Sequence, residues 1–298
     1  MSEALATVLT VTRGGCDVVH GDQVMSLTLV GKHAHRETSL AVGDRVSFDP
    51  VRKIVIEVLP RRTVLARRRS FGKQREQVLA ANADRLAIVT SVSSPPFRSG
   101  AVDRFLVAAH AGGLEAILVV NKLDLLAPGE PLPAEIRAYE SVIELFPVAA
   151  KTGAGIEPLR ARLADSTTVL AGHSGVGKSS LINALEPELR LQTGEISKYD
   201  RGAHTTSAST WLRLAGGAVV IDTPGVREIG TGPVDRDLLG PVYPEIALLS
   251  ADCRFRDCEH RSEPKCAVRA AVAAGSLPAA RLANFHRLLD EVDTRAQE

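Results

Sequence analysis

The chain has 298 residues, of which 45% are hydrophobic and 4% aromatic, with 36 Lys and Arg against 35 Asp and Glu. That much apolar material supports a folded core and excludes a disordered or collagen-like protein. No apolar run approaches the roughly 18 residues of a membrane span, and the start, MSEALATVLTVTR, lacks the pattern of a secretion signal. We therefore expect a soluble, cytoplasmic protein without membrane association.

Two clusters depart from these averages. The run RRTVLARRRSFGKQR (61–75) has seven basic residues and no acidic one, although the whole chain has a net charge of only +1. Three of the four cysteines lie close together, between residues 253 and 266. The length alone suggests about two domains, but the sequence patterns along the chain fit three modules better.

The first 60 residues predict a small β-barrel or sandwich. Short runs of strand composition alternate with turn pairs such as Gly21-Asp22 and Asp49-Pro50. The predicted strands are VLTVT (8–12), VMSLTLV (24–30), RVSFD (45–49) and KIVIEV (53–58). The basic run that follows is expected to be a solvated connection.

Residues 80–230 predict an α/β domain, because apolar strands alternate with helical stretches, as in a mostly parallel sheet. The predicted strands are LAIVTSV (86–92), AILVV (116–120) and AVVID (218–222), and the helices include VDRFLVAAHAGG (102–113) and EIRAYESVIELF (135–146). The last 60 residues contain two further helical stretches, CAVRAAVAAG and SLPAARLANFHRLLDEV. We expect Ser276 to cap the second, with Leu282, Phe285, Leu289 and Val292 on one face.

A phosphate-binding loop is the sharpest signal. The stretch GHSGVGKSS follows apolar TVLA (168–171), opens the predicted helix SSLINAL and fits the pattern G-x4-G-K-[ST]. Its glycines allow backbone amides to point at phosphate oxygens, at the start of a helix. We expect Lys178 to bridge the β- and γ-phosphates and Ser179 to bind Mg²⁺. The predicted nucleotide residues in this loop are Gly172, His173, Ser174, Gly175, Val176, Gly177, Lys178, Ser179 and Ser180.

A second signal identifies the base as guanine. AILVV is followed directly by Asn121, Lys122, Leu123 and Asp124, an N-K-x-D pattern. The Asp124 carboxylate would accept hydrogen bonds from the N1–H and amino group of guanine, a donor pair that adenine lacks, while Asn121 and Lys122 buttress the pocket. Residues 148–153 (VAAKTG) resemble the supporting S-A-K loop, with Ala149 in place of Ser.

A third signal is DTPG (222–225), a D-x-x-G pattern. Asp222 would reach Mg²⁺ through water, and the Gly225 amide would sense the γ-phosphate. In RGAHTTSAST (201–210), Thr205 and Thr206 are the candidates for the switch threonine, and we assign Thr206 to Mg²⁺ binding and catalysis.

The group that orients the attacking water is less evident. Val226 follows the D-x-x-G pattern where many GTPases have a glutamine. A valine cannot position water, so intrinsic hydrolysis should be slow or use another group. We name His204 as the catalytic candidate beside Lys178 and Thr206, with a surface or structural histidine as the alternative.

The order of these signals is permuted. In ordinary GTPases the phosphate loop comes first and N-K-x-D fourth, whereas here N-K-x-D precedes the phosphate loop. The same sheet can form from this permuted order of motifs when the new chain ends fall in a surface connection. The segment that responds to the γ-phosphate then leads directly into the C-terminal residues, so loss of that phosphate could move them.

The cysteine cluster predicts one structural Zn²⁺. Cys253, Cys258, His260 and Cys266 supply three thiolates and one imidazole, a complete tetrahedral set with no open position for catalysis. Disulfides do not suit the expected compartment. Reduced buried cysteines remain the alternative, and Cys16 lies far away in the sequence.

These features together resemble the RsgA (YjeQ) family of bacterial GTPases of small-ribosomal-subunit biogenesis. The residues that carry the resemblance are the permuted order, GHSGVGKSS, the HTT at 204–206, DTPGVREIG and CRFRDCEHRSEPKCAV, and it covers almost the full length. It implies an N-terminal OB-fold β-barrel (1–65), a central circularly permuted α/β P-loop GTPase domain (66–235) and a small α-helical zinc domain (236–298). His173, Ala149 and Ala203 depart from the commoner family residues.

The resemblance also implies GTP hydrolysis that is stimulated by the 30S subunit during its late maturation. The residues favour an RNA partner independently, because a barrel followed by a basic run provides a groove and an electrostatic site. With few aromatic residues, contact with 16S rRNA should depend on backbone and shape. A solvated linker is the alternative for the basic run, and we expect a monomer. The alternative function is an rRNA-binding assembly chaperone that uses GTP only as a placement switch.

Overall fold

A computed structural model describes residues 3–12, 14–30, 40–68, 76–189, 210–222 and 234–293. The described chain contains a closed five-stranded barrel, a two-stranded hairpin, a six-stranded sheet covered by helices and a helical C-terminal region. The expected α/β domain with an N-terminal barrel and a helical C-terminal region is therefore confirmed.

The barrel has the strand order β1-β2-β3-β5-β4. Its interior is filled by side chains that alternate along the strands, including Val8, Val18, Val46 and Phe48, all fully buried. One of its strands, β2, was not among the predicted runs, because GCDVVH contains glycine, aspartate and histidine. The strands are β1 Ala4–Val11, β2 Gly15–His20, β3 Gln23–Thr28, β4 Arg45–Asp49 and β5 Ile54–Val58.

The basic run forms part of an antiparallel hairpin, which differs from the solvated connection that the sequence predicts. Strand β6 (Val64–Arg68) pairs with β7 (Glu76–Ala81), and residues 69–75 between them lie outside the described part of the chain. Arg61, the first residue of the run, forms an ion pair at 2.7 Å with the fully buried Asp44 of the barrel. The predicted domain boundary at residue 65 therefore falls inside β6.

The six-stranded sheet has the order β10-β9-β8-β11-β13-β12, and only β12 runs antiparallel to its neighbour. This is the mostly parallel sheet that the alternating pattern predicts. The strands are β8 Arg85–Ser91, β9 Glu115–Asn121, β10 Glu144–Pro147, β11 Thr167–Ala171, β12 Thr210–Arg213 and β13 Val219–Asp222.

Two helical layers cover the sheet. Alternate residues of β8 enter two different cores, Leu86 and Ile88 on one face and Ala87 and Val89 on the other. The first core contains helix α1 (Ser99–Ala111) and the short α2 (Ala134–Arg137), and the second contains α3 (Ile156–Leu163) and α4 (Lys178–Leu185).

The helix predicted over residues 135–146 is wrong. Only Ala134–Arg137 is helical, and the chain then turns so that Glu144–Pro147 becomes strand β10, parallel to β9. Ile136, Tyr139 and Ile143 are buried at helix-like spacing, which explains the misleading periodicity. Pairing with β9 at the edge of the sheet determines the structure of these residues, because tertiary contacts override local propensity.

The C-terminal region packs on the α1 face of the sheet and contributes to the same core. Its helices are α5 (Leu239–Val242), α6 (Pro244–Ser250), α7 (Ala267–Ala273) and α8 (Ala279–Asp293). The predicted cap at Ser276 is wrong, since its hydroxyl donates to the Ala271 carbonyl at 3.1 Å and so closes the end of α7. The apolar face of α8 is buried as predicted, with Leu282 and Leu289 in the core. No helix among the described residues has the length and apolarity needed to cross a bilayer.

Candidate nucleotide site and metal centre

Three loops with predicted nucleotide residues leave the same edge of the sheet. Residues 172–177 follow β11, Asn121 ends β9 and Asp222 ends β13. Strands β9, β8, β11 and β13 are parallel neighbours, so their carboxyl ends meet at one edge, where open α/β sheets bind ligands. The structure therefore brings together residues that are far apart and permuted in the sequence.

The phosphate-binding loop requires glycine at both ends. Gly172 has a φ of +150°, and a Cβ there would lie 2.3 Å from the Val89 carbonyl oxygen. Gly177 has a φ of +95°, and a Cβ there would lie 2.4 Å from the side-chain nitrogen of Asn121. Any other residue would push the loop away from β8 and from the N-K-x-D loop.

The side chain of Lys178 folds back over this loop. It is the first residue of α4, and its ammonium donates to the carbonyl oxygens of Gly172 at 2.7 Å and His173 at 3.2 Å. The ammonium thus lies above the loop at the N-terminus of a helix, where partial positive charge favours an anion.

Asn121 joins three loops. Its amide nitrogen donates to the Val176 carbonyl in the phosphate-binding loop at 2.9 Å. Its amide oxygen accepts from the backbone N–H of Lys122 at 2.7 Å and of Ala150 at 3.1 Å. Because Asn121 is only 2% exposed, these bonds are shielded from water and fix the N-K-x-D loop against residues 148–153.

The residues after Asn121 turn outward. Lys122 has a φ of +67°, and its ammonium donates to the carbonyl oxygen of Ser94. Leu123 donates its backbone N–H to the Val148 carbonyl at 3.1 Å, which sets the following turn. Asp124 lies in that turn, a 3₁₀ helix over Leu123–Leu125, and its side chain is exposed. Its carboxylate is therefore accessible to a base.

Asp222 is a buried carboxylate on the phosphate side of the site. It is 4% exposed, and among the described residues its Oδ1 has no hydrogen-bond partner. Burial raises the pKa of Asp222, and the positive charge of Lys178 opposes that shift. An unpaired buried carboxylate oxygen is costly, so this position is suited to a cation.

Several predicted residues fall outside the described part of the chain. They are His204, Thr205 and Thr206 of the switch stretch, Gly225 of the D-x-x-G pattern, and Val226 after it. Their roles remain predictions. Ser179 and Ser180 lie in the first turn of α4, half-buried beside the loop.

The four predicted metal ligands form one cluster. The ligand atoms of Cys253, Cys258, His260 and Cys266 all lie within 4.8 Å of one another. The Cys253 and Cys266 sulfurs are 3.9 Å apart, and the His260 Nδ1 lies 3.7 and 3.4 Å from them. Bonds of about 2.3 Å to sulfur and 2.0 Å to nitrogen give tetrahedral edges of roughly this size. The residues fit a tetrahedral metal ion.

Groups around the cluster hold its ligands in place. The second nitrogen of His260, Nε2, lies 2.9 Å from the Ser250 hydroxyl, which leaves Nδ1 directed at the sulfurs. Burial lowers the pKa of His260, and a metal binds the neutral imidazole. The Cys266 sulfur also accepts from the Arg269 N–H at 3.4 Å at the start of α7.

Comparisons with known proteins agree with this arrangement. The family model described as RsgA GTPase matches residues 58–232. A protein from Chlorobaculum parvum named small ribosomal subunit biogenesis GTPase RsgA is 40% identical over 98% of this chain and all of its own length. The chain belongs to the RsgA GTPase family. A relative of the same name from Streptomyces coelicolor is 36% identical over 95% of this chain and 79% of its own length.

Two solved structures are similar to this chain over nearly its full length. The crystal structure of YjeQ from Thermotoga maritima has a TM-score of 0.73 and 28% identity, over 98% of this chain and 99% of that one. The structure of YloQ, described as a circularly permuted GTPase, has a TM-score of 0.67 and 25% identity, over 99% and 96% of the two chains. The predicted circularly permuted GTPase fold is therefore confirmed for this RsgA GTPase.

The structure also shows one site residue that the sequence did not indicate, Ser94, which contributes its carbonyl oxygen. The contacts of the predicted loop residues Ala150 and Val176 are likewise made by backbone groups, an N–H and a carbonyl. Backbone contacts of this kind have no residue signature. The run SVSSPPF after β8 was the one available signal for Ser94, because it leaves the same edge of the sheet as the nucleotide loops.

Proposed function

We propose that this chain is a GTP hydrolase that acts in late maturation of the small ribosomal subunit. The observation that carries the proposal is the hydrogen bonding of Asn121, which joins the N-K-x-D loop to the phosphate-binding loop. Small ribosomal subunit biogenesis is the role named for the relatives that match almost the full chain.

Guanine would be read by Asp124, with Lys122 and Asn121 supporting the base. The exposed carboxylate of Asp124 is free to accept from both guanine donors, and an adenine would leave it unpaired. The half-buried Leu123 adds an apolar side chain to the same turn.

The phosphates would lie on the amides of residues 172–180. Lys178 would move from the carbonyls of Gly172 and His173 to the β- and γ-phosphates, because phosphate oxygens are the stronger acceptors. The helix N-terminus and the lysine then stabilise the charge that develops during phosphoryl transfer.

Ser179 and Thr206 would bind Mg²⁺ and Asp222 would reach it through water. The Asp222 Oδ1, which has no hydrogen-bond partner among the described residues, supports a cation near it. When bound, Mg²⁺ neutralises charge on the phosphates. Val226 cannot orient water, so His204 is our candidate for that role, and intrinsic turnover should be slow. Contact with the 30S subunit would then raise the rate of hydrolysis.

The barrel and the hairpin β6–β7 would bind 16S rRNA. The hairpin contains part of the basic run, and Arg61, just before β6, forms an ion pair with Asp44 of the barrel. Lysines and arginines on such a surface bind phosphates without reading sequence. The chain would act as a monomer in the cytoplasm.

The metal of the C-terminal cluster would be one structural Zn²⁺. Three thiolates and an imidazole are the donors that zinc prefers, and four protein ligands leave no position for substrate. The ion would stabilise the loop between α6 and α7, which has little core of its own.

We predict that the purified protein contains about one zinc per chain and that His260→Ala loses most of it, because three ligands bind far more weakly than four. Metal content is measured by atomic emission after dialysis against a mild chelator. Cys16→Ala is the matched control, since it removes a buried cysteine of the barrel, and it should keep its zinc. Full zinc content in His260→Ala would exclude this site.

We predict that Asp124→Asn weakens GDP binding by at least about 100-fold and creates affinity for xanthosine diphosphate, because the amide donates where the carboxylate accepted. Fluorescence titration with both nucleotides measures the change. Asp22→Asn removes a carboxylate that is 99% exposed on a barrel turn and should leave both affinities unaltered. Equal GDP affinity in Asp124→Asn and the unsubstituted chain would refute guanine recognition by Asp124.

We predict that GTP turnover rises on titration with 30S subunits and that Lys178→Ala lowers turnover by about 100-fold or more, with and without subunits. Phosphate release is the measurement. Lys53→Ala, at an exposed turn of the barrel, controls for loss of a lysine and should retain intrinsic turnover. Phosphate release that is absent, or that survives Lys178→Ala, would contradict the proposal.

A further inference from the structure

A short segment links the nucleotide site to the C-terminal helix α8. This segment, Ser94–Ser99, runs from the loop after β8 into the first residue of α1. We name it the strap. Both of its ends are held by hydrogen bonds, one end at the predicted guanine pocket and the other at the C-terminal region.

The first end of the strap lies against the nucleotide loops. The Ser94 carbonyl accepts from the Lys122 ammonium and from the Ser91 hydroxyl, the latter at 2.9 Å. The ring of Pro95 lies 3.7 Å from where a Cβ of Gly175 would be, so it borders the phosphate-binding loop. The position of the Lys122 ammonium therefore depends on where the strap lies.

The second end is held from α8. The Asn284 amide donates to the Ser99 hydroxyl at 2.9 Å and to Asp103 Oδ2 at 2.8 Å. The hydroxyl of Tyr139 lies 3.0 Å from the Ser99 carbonyl, and the ring of Phe97 packs edge-on against the Tyr139 ring. Asn284 is only 5% exposed, so losing its bonds would leave Asp103 Oδ2 poorly satisfied in a dry environment.

Buried Arg281 fixes α8 in a single position relative to α1. Its guanidinium donates to Asp103, to Glu245 at 2.6 Å and to the Val242 carbonyl at 2.8 Å. It also lies 4.7 Å above the ring of Tyr139. Because removing one partner of a buried ion pair is strongly destabilising, these bonds hold α8 against α1 and bring Asn284 within hydrogen-bond distance of Ser99.

We propose that Asn284 is a positioning residue for guanine recognition, acting through the strap on Lys122. Pro95 and Pro96 fix two of the φ angles between Ser94 and Ser99, which limits how much of a shift of Ser99 the strap can absorb before Ser94 moves. The coupling is reciprocal, so a bound guanine in turn stabilises the packing of α8 against α1. This inference rests on the guanine pocket proposed above, and it adds a route from base to C-terminal region that does not involve the γ-phosphate.

The test is the dissociation rate of a fluorescent GDP chased with unlabelled GDP. Asn284→Ala should speed dissociation about fivefold, at the low end of coupling between sites. The rate arises only from molecules that have bound nucleotide, so a misfolded fraction lowers the amplitude and leaves the rate unaltered. Glu291→Ala is the matched control, because it breaks the Arg104–Glu291 ion pair between α1 and α8 without touching the strap.

A double-mutant cycle identifies the route. Lys122→Met keeps the stem of the lysine and removes its bond to Ser94, so adding Asn284→Ala to it should have no further effect. Ser99→Ala removes the Asn284–Ser99 bond from the other side and keeps the Asn284–Asp103 bond. It should also speed dissociation, and it replaces Asn284→Ala if that variant does not fold.

Three results would overturn the inference. They are an unchanged rate in Asn284→Ala and Ser99→Ala, an equal rise in Glu291→Ala, and additive effects in the cycle. If the unsubstituted chain binds GDP and Asn284→Ala releases it at the same rate, only this inference fails. If the unsubstituted chain does not bind GDP, the proposed function fails with it.

Discussion

The hydrogen bonds of the Asn121 side chain are the interaction on which the nucleotide site depends. One buried amide holds the phosphate-binding loop through Val176 and the supporting loop through Ala150. The side-chain nitrogen of Asn121 also lies too close to where a Cβ at position 177 would be, so glycine is necessary there. None of these bonds depends on the order in which the loops occur in the chain, so the site survives permutation as long as the strands keep their places in the sheet.

Much of the site was predictable because its chemistry lies in side chains and glycines with fixed spacing. Lys178, Asp222 and the four metal ligands are of this kind. The structure places the Lys178 ammonium over the phosphate-binding loop, and it brings the four metal ligands together in a separate cluster. The structure differs from prediction where neighbours decide the outcome. Residues 144–147 follow a stretch of helical periodicity but form the edge of the sheet, and β2 has weak strand composition but lies between β1 and β3 in the barrel. The Ser94 carbonyl could not be predicted at all, because any residue can supply a backbone oxygen.

The permutation determines which part of the nucleotide domain precedes the C-terminal region in the chain. It follows directly on the stretch predicted to sense the γ-phosphate, and it also packs on α1 through Arg281 and Asn284. The barrel, at the other end of the chain, is tied to the hairpin through Arg61 and Asp44. The proposed coupling between nucleotide and C-terminal region would act by shifting packed elements, since such elements move between discrete arrangements.

We infer that loops in permuted order form one site that reads guanine. Isothermal titration of the purified chain with GDP and with ADP measures base recognition alone, because the two ligands share their phosphates and differ in the base. We predict one GDP bound per chain and binding of ADP that is at least about 100-fold weaker, since adenine would leave the Asp124 carboxylate unpaired. Equal affinity for the two nucleotides would mean that the site does not read guanine.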